Sequence, residues 1–295
     1  MNSIERSQST LQRIACFGLW LAVFSTAVCA QPLPGESPHD SGQSITPAYE
    51  GWFKNADGSY TMLIGYYNRN QKADVEIPVG PENQIEPGGP DYGQPTRFLP
   101  GRQFGMFTIR VPADFGEKKL TWTITTAGKT TKVPVHLNLL WEVAPFKDAD
   151  NNTPPYLSFR EGGPFKNGPA AETQILSGTV GQPVNLPVWV ADDEKMTAGA
   201  KRPSTPPARI SWSKFRGPGD VAFSEARLKV EPGDIKAAPA DTIFKGKATV
   251  TATVKEPGDY VLRVQANDWT GEGGAGFQCC WSSAFVKLTV TPAKK

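Results

Sequence analysis

Histidine is nearly absent: His39 and His136 are the only two in 295 residues. That leaves little room for a multi-histidine metal site or for histidine-based acid–base chemistry. Neither sign of charge dominates. There are 31 basic and 29 acidic residues, a formal net charge of +2, so nothing electrostatic points to a nucleic-acid partner. Familiar enzyme signatures are missing too. The chain has no Gly-x-Ser-x-Gly elbow, no Gly-rich phosphate loop followed by Lys-Ser/Thr, and no His-Glu-x-x-His pair. No cofactor is expected, with calcium the one exception treated below. Charged residues at 20% and hydrophobic residues at 39% are ordinary for a globular chain, which argues against wholesale disorder.

Long apolar runs are also scarce. The one that stands out is Ile14 to Ala30 (IACFGLWLAVFSTAVCA), preceded by Arg6 and Arg13. Its apolar core is about a dozen residues, the length of a signal-peptide core and short for a spanning helix. Val28-Cys29-Ala30 supplies small residues where a signal peptidase reads, so cleavage is expected after Ala30. No stable transmembrane segment then remains, and the mature protein is secreted or periplasmic. Of four cysteines, Cys16 and Cys29 fall in this segment, leaving the adjacent pair Cys279-Cys280.

Glycine and proline are abundant, 29 and 27 residues, which favours short strands joined by turns. Two domains fit the length at roughly 100–200 residues each. Residues 31–47 are a polar, Pro/Gly-rich leader, 48–143 a first β-sandwich, 144–153 a linker, and 154–295 a second β-sandwich. In the first half, Asp57-Gly58 signals a hairpin. Tyr60, Met62, Ile64 and Tyr66 then recur at every second position, as do Phe107, Ile109 and Val111, and Leu120, Trp122 and Ile124. Thr130 to Trp141 reads as a return strand that includes His136, and residues 80–102 read as a long loop. In the second half, alternation predicts strands at 156–159, 175–180, 184–190, 209–215, 247–255, 260–266 and 284–290. The fold class is all-β: two antiparallel sandwiches in tandem.

Residues 153–292 resemble the immunoglobulin-like and PKD-like modules of secreted bacterial proteins. Gly181-Gln182-Pro183-Val184-Asn185-Leu186, the strand ending at Val190-Ala191-Asp192-Asp193, and Pro257-Gly258-Asp259-Tyr260-Val261-Leu262 running into Ala266-Asn267-Asp268 carry the likeness. It implies a sandwich, with Tyr260 bonding back to the chain as in a tyrosine corner, and it implies no particular activity. The first half, with Gly51-Trp52, Asp57-Gly58-Ser59-Tyr60 and Gly65-Tyr66-Tyr67-Asn68-Arg69-Asn70, resembles a secreted β module of no assigned activity.

In immunoglobulin-like order the loops after Val190 and Ala266 share one end of the second sandwich. Asp192, Asp193 and Asp268 could meet there and hold calcium, a cation that takes several oxygen ligands, or they could simply cap turns. Cys279 and Cys280 admit three readings: a vicinal disulfide that stiffens the loop, free or intermolecular thiols, or metal or redox chemistry. Trp269 and Trp281 are the candidate ligand-binding aromatics, against the alternative of core packing. The chain therefore reads as an exported, non-catalytic protein that binds a protein or glycan at the cell envelope or outside it. The rival readings are a carbohydrate-binding accessory protein, and an enzyme or metal carrier built on Cys279-Cys280. No oligomeric state is implied.

Overall fold

Period-two alternation becomes strand in both halves. The computed structural model describes residues 37–169, 172–196, 198–225, 227–270 and 280–293. The expected signal segment, residues 1–30, and Cys279 lie outside the described residues. Chain contacts divide the protein into Met1–Pro38 and His39–Lys295, and the account below concerns the second unit.

The first half contains β1 (Ile45–Lys54), β2 (Tyr60–Asn68), β3 (Val75–Glu76), β4 (Asn83–Glu86), β5 (Arg97–Phe98), β6 (Gly101–Val111), β7 (Leu120–Thr126) and β8 (Lys129–Val135). Strands β1, β2 and β6 form one antiparallel sheet and β4, β7 and β8 another, with β3 and β5 pairing beside them. The two sheets close over a shared core. Trp122 from β7 meets Phe107 from β6 edge to face at 5.1 Å, and both are buried with Met62, Ile64, Ile109 and Ile124. The expected hairpin at Asp57-Gly58 is there. Gly58 takes φ +85°, and Asp57 Oδ1 accepts from the Ser59 N–H at 3.2 Å, as such turns require.

Two expectations for this half need correction. The stretch 80–102 is not one loop, since β4, β5 and the start of β6 fall inside it. Its order comes from a buried amide: Asn83 donates to the carbonyls of Ile77 and Pro95 at 3.0 and 2.8 Å and accepts from Trp122 Nε1 at 2.9 Å. The return strand ends at Val135 rather than Trp141. Asn138 accepts from the Leu140 N–H at 2.9 Å and opens a 3₁₀ turn over Leu139–Trp141, so His136 follows the strand and packs on Tyr49 and Trp141.

The second half contains β9 (Tyr156–Ser158), β10 (Thr173–Thr179), β11 (Val184–Asp192), β12 (Arg209–Arg216), β13 (Val221–Phe223), β14 (Arg227–Lys229), β15 (Glu231–Pro232), β16 (Phe244–Val254), β17 (Gly258–Asn267) and β18 (Trp281–Thr291). One sheet has the order β10-β18-β17-β12-β14. The facing sheet has β13-β16-β11-β9, with β15 on β16. Pairing is antiparallel except for β10 beside β18. Leu186, Val188 and Val250 from one sheet are buried with Leu262, Val264 and Val286 from the other. The Tyr260 hydroxyl donates to the Glu256 carbonyl at 2.9 Å and accepts from the Gly219 N–H at 3.2 Å, the back-bonding expected at this position. The fold is thus all-β with two antiparallel sandwiches. Among the described residues no helix is long and apolar enough to cross a membrane.

The outer face of the β12–β17–β18 sheet lies against the first half. The Thr96 N–H donates to the Phe215 carbonyl at 3.1 Å. Arg216 grips Asp91 with two bonds of 2.8 and 3.0 Å and reaches the Gln94 carbonyl through Nε at 2.6 Å. Lys214 Nζ sits 2.7 Å from Glu76.

Candidate functional site

Strand β11 ends at Asp192 and β17 at Asn267, so Asp193 and Asp268 follow directly on the strand ends. The two strands lie in facing sheets, whose packing places these ends close enough for the charges to act on one another. Asp192, Asp193 and Asp268 are all buried. Each first satisfies the backbone two residues on. Asp192 Oδ1 accepts from the Glu194 N–H at 2.8 Å, Asp193 Oδ1 from the Lys195 N–H at 3.0 Å, and Asp268 Oδ1 from the Thr270 N–H at 2.8 Å. These are turn-capping contacts. Asp193 Oδ2 also takes Thr153 Oγ1 at 3.0 Å and Lys195 Nζ at 3.3 Å. Asp268 Oδ2 takes Asn152 Nδ2 at 2.6 Å. Asp192 Oδ2 is buried with no hydrogen-bond partner.

That last oxygen sets the electrostatics. Burial pushes the Asp192 carboxyl up to about 8. The Glu194 N–H opposes this, and the charges of Asp268, Asp193 and Glu194 add to it. A carboxyl raised so far is protonated at neutral pH, which removes one charge from the cluster. Among the described residues, no group of three or more His, Cys, Asp or Glu side chains is arranged to hold a metal ion.

The segment between the halves reaches this same end. Asn152 is fully buried and ties it to Asp268. The Cys280 Sγ is buried as well, 3.6 Å from the Asn152 carbonyl oxygen. The partner in the expected vicinal bridge, Cys279, is outside the described residues.

A cavity of about 620 Å³ opens beside the cluster. Arg209 at the start of β12, Arg227 at the start of β14, Gln265 on β17, and Asp268 and Trp269 just after it line the cavity, with Pro203 and Pro206 from the 191–208 loop. Trp269 is fixed by its indole N–H, which donates to the Thr205 carbonyl at 2.9 Å, and by the Arg202 guanidinium 5.0 Å from its ring centre. The two candidate tryptophans therefore have different settings. Trp281 is in the interior, 1% exposed. It is pressed so close to Gly105 that a Cβ there would come within 2.5 Å of its ring.

Three cavity residues escape a reading of the sequence: Arg209, Arg227 and Gln265. An arginine opening a strand looks like ordinary solvated surface. The available signal is the polar pair Arg263 and Gln265 at alternate positions of β17, opposite the core-facing Tyr260, Leu262 and Val264. Both polar side chains are buried, so they face something other than water.

No protein-family model matches the chain, and no curated protein matches it. Among solved structures, it is similar to the D00-D0 domain of intimin, at 11% identity over 83% of this chain and 100% of that one, with a TM-score of 0.25. It is similar to WR4, a C. elegans MSP family member, at 12% identity over 39% of this chain and 92% of that one, with a TM-score of 0.23. It is also similar to a family 123 glycoside hydrolase from Clostridium perfringens, at 10% identity over 41% of this chain and 23% of that one, with a TM-score of 0.22. All three scores fall below 0.5, so no function is taken from them.

Proposed function

We propose that the protein is an exported, non-catalytic binding protein that holds a macromolecular partner at the cavity end of its second sandwich. One observation carries the reading. The cavity lining includes two exposed arginines with no hydrogen-bond or ion-pair partner among the described residues, and a buried glutamine whose Nε2 has none either. Leaving a buried donor unpaired costs roughly 1–3 kcal/mol, and a ligand that accepts from it removes that cost. Loops on a rigid sandwich are a common place for such contacts. The back-bonded Tyr260 supports the immunoglobulin-like resemblance, and the Ile14–Ala30 pattern supports action at the envelope or outside the cell.

The test uses the mature chain, residues 31–295, on glycan and peptide arrays beside a Trp269→Ala variant. The wild type is expected to retain a defined ligand. The variant is expected to lose it while melting at an unchanged temperature. No retained ligand on either array overturns the reading.

A further inference from the structure

We infer that the cavity is a saccharide site that selects a sugar ring bearing an anionic group, a carboxylate or a sulfate. This rests on the binding reading above and names its ligand class. The β-ladder arranges the donors. Arg209 lies opposite Lys229 on β14 and Asn267 on β17, and Ser211 lies opposite Arg227 and Gln265. Arg209 and Arg227 are therefore diagonal neighbours on one face, close enough for two long side chains to reach a common ligand. Between them and the sheet centre lies Gln265. Its Oε1 accepts from Arg263 Nη1 at 3.1 Å, and Arg263 is itself held by Ser283 Oγ at 2.8 and 3.1 Å. The amide is thus oriented, with its unpartnered Nε2 left as a fixed donor.

Two of the lining acceptors, by contrast, are committed. Asp268 borders the cavity, but its oxygens already take Asn152 Nδ2, the Thr270 N–H and Thr270 Oγ1. The Thr205 carbonyl takes the Trp269 indole. A peptide strand brings about one N–H per residue and needs acceptors to match; with these two in use, the side-chain oxygens of Ser211 and Asn267 are what remain. A carboxylate or sulfate only accepts, and two guanidiniums with an amide suit it. The wall also carries Ser211 and Asn267, and its apolar part is Trp269, whose indole N–H is taken by Thr205, with Pro203, Pro206 and Leu228. A pyranose has an apolar C–H face for the indole and a polar rim for the donors.

The experiment measures binding of the mature chain to three oligosaccharides of equal length by calorimetry: a hexuronate, a sulfated hexose and a neutral hexose. At least one anionic oligomer is expected to bind roughly tenfold or more tightly than the neutral one, the effect of a charge-assisted contact. That preference should weaken as salt is raised. Which anionic oligomer binds tells carboxylate from sulfate. An R209Q/R227Q variant, altered only at exposed positions, should keep the wild-type melting temperature and lose the preference. Equal binding of neutral and anionic oligomers, or a preference that survives R209Q/R227Q, overturns the anionic-sugar assignment and leaves the binding reading standing. Failure of the wild type to bind any oligosaccharide, with a peptide retained on the array instead, also overturns the assignment alone. Failure to bind anything overturns both.

Discussion

Strand β12 carries an arginine at each end, and the two live in different settings. Arg216 makes three hydrogen bonds to the first half, two to Asp91 and one to the Gln94 carbonyl. That grip holds the Asp91 carboxyl below its usual range. The guanidinium of Arg209, at the other end of the same strand, has no hydrogen-bond or ion-pair partner among the described residues. Near Arg216 sit Lys214 with Glu76, and Arg97 with Asp74 and Asp220. Near Arg209 sit Arg227 and the open amide of Gln265. One sheet thus has a closed end, where polar groups satisfy one another, and an open end, where donors wait. Residue type does not tell an arginine locked in place from one whose guanidinium is unengaged; the company each one keeps does.

The sharpest way to break the contrast is at the tryptophans. Trp281→Ala removes a buried indole packed against Gly105, and its expected cost is about 3–5 kcal/mol, read by denaturant unfolding. Trp269→Ala, on the cavity wall, should cost far less stability and act on binding. If both variants unfold alike, the two tryptophans are equivalent and the open end is not a distinct region.

The aspartate cluster supplies the next effect, through pH. The folded carboxyl of Asp192 is raised to about 8 from 3.8. Its contribution to stability is therefore complete below the unfolded value and is lost as pH climbs through the folded one. Asp192→Asn removes that dependence. Its stability relative to wild type should rise between pH 5 and pH 8, by roughly 1–3 kcal/mol, and melting curves across that range measure it. A flat difference would show that Asp192 is already ionised in the fold. Adding calcium to the same scans asks whether a cation takes the place of the proton. A melting temperature raised by calcium in the wild type but not in the variant is the result expected of a cation site.

The smallest effect compares the two ends of β12 directly. Arg216→Gln loses the bidentate grip and should cost about 1–2 kcal/mol, since Asp91 is half exposed and water takes over part of the loss. Arg209→Gln should change stability by less than about 0.5 kcal/mol. Equal costs in thermal melts would erase the distinction between a closed and an open end.

Much of this architecture is legible from residue order alone. The alternation in KATVTATV and YVLRVQA places β16 and β17 because each buries one face on a shared core. Very short strands escape. Strands β13, β14 and β15 run two or three residues, and β15 contains Pro232, so no period can register. Strands β4 and β5 are hidden by Gly/Pro-rich surroundings and depend on Asn83, whose hydrogen bonds reach partners 6 to 39 residues away. The parallel seating of β10 is silent as well, since one strand's pattern does not say which way its neighbour runs. For the site, strand-end aspartates reveal the meeting of two loops. The cavity's donors do not show, because an edge arginine and a mid-strand glutamine acquire meaning only once the ladder sets them side by side.

Strand β12 also has a mechanical consequence. It runs from the cavity rim at Arg209 to the first half at Phe215 and Arg216, hydrogen-bonded along its length to β17. Antiparallel ladder bonds stand perpendicular to the strand. A pull at that rim runs along the strand axis and loads those bonds together in shear instead of peeling them one at a time.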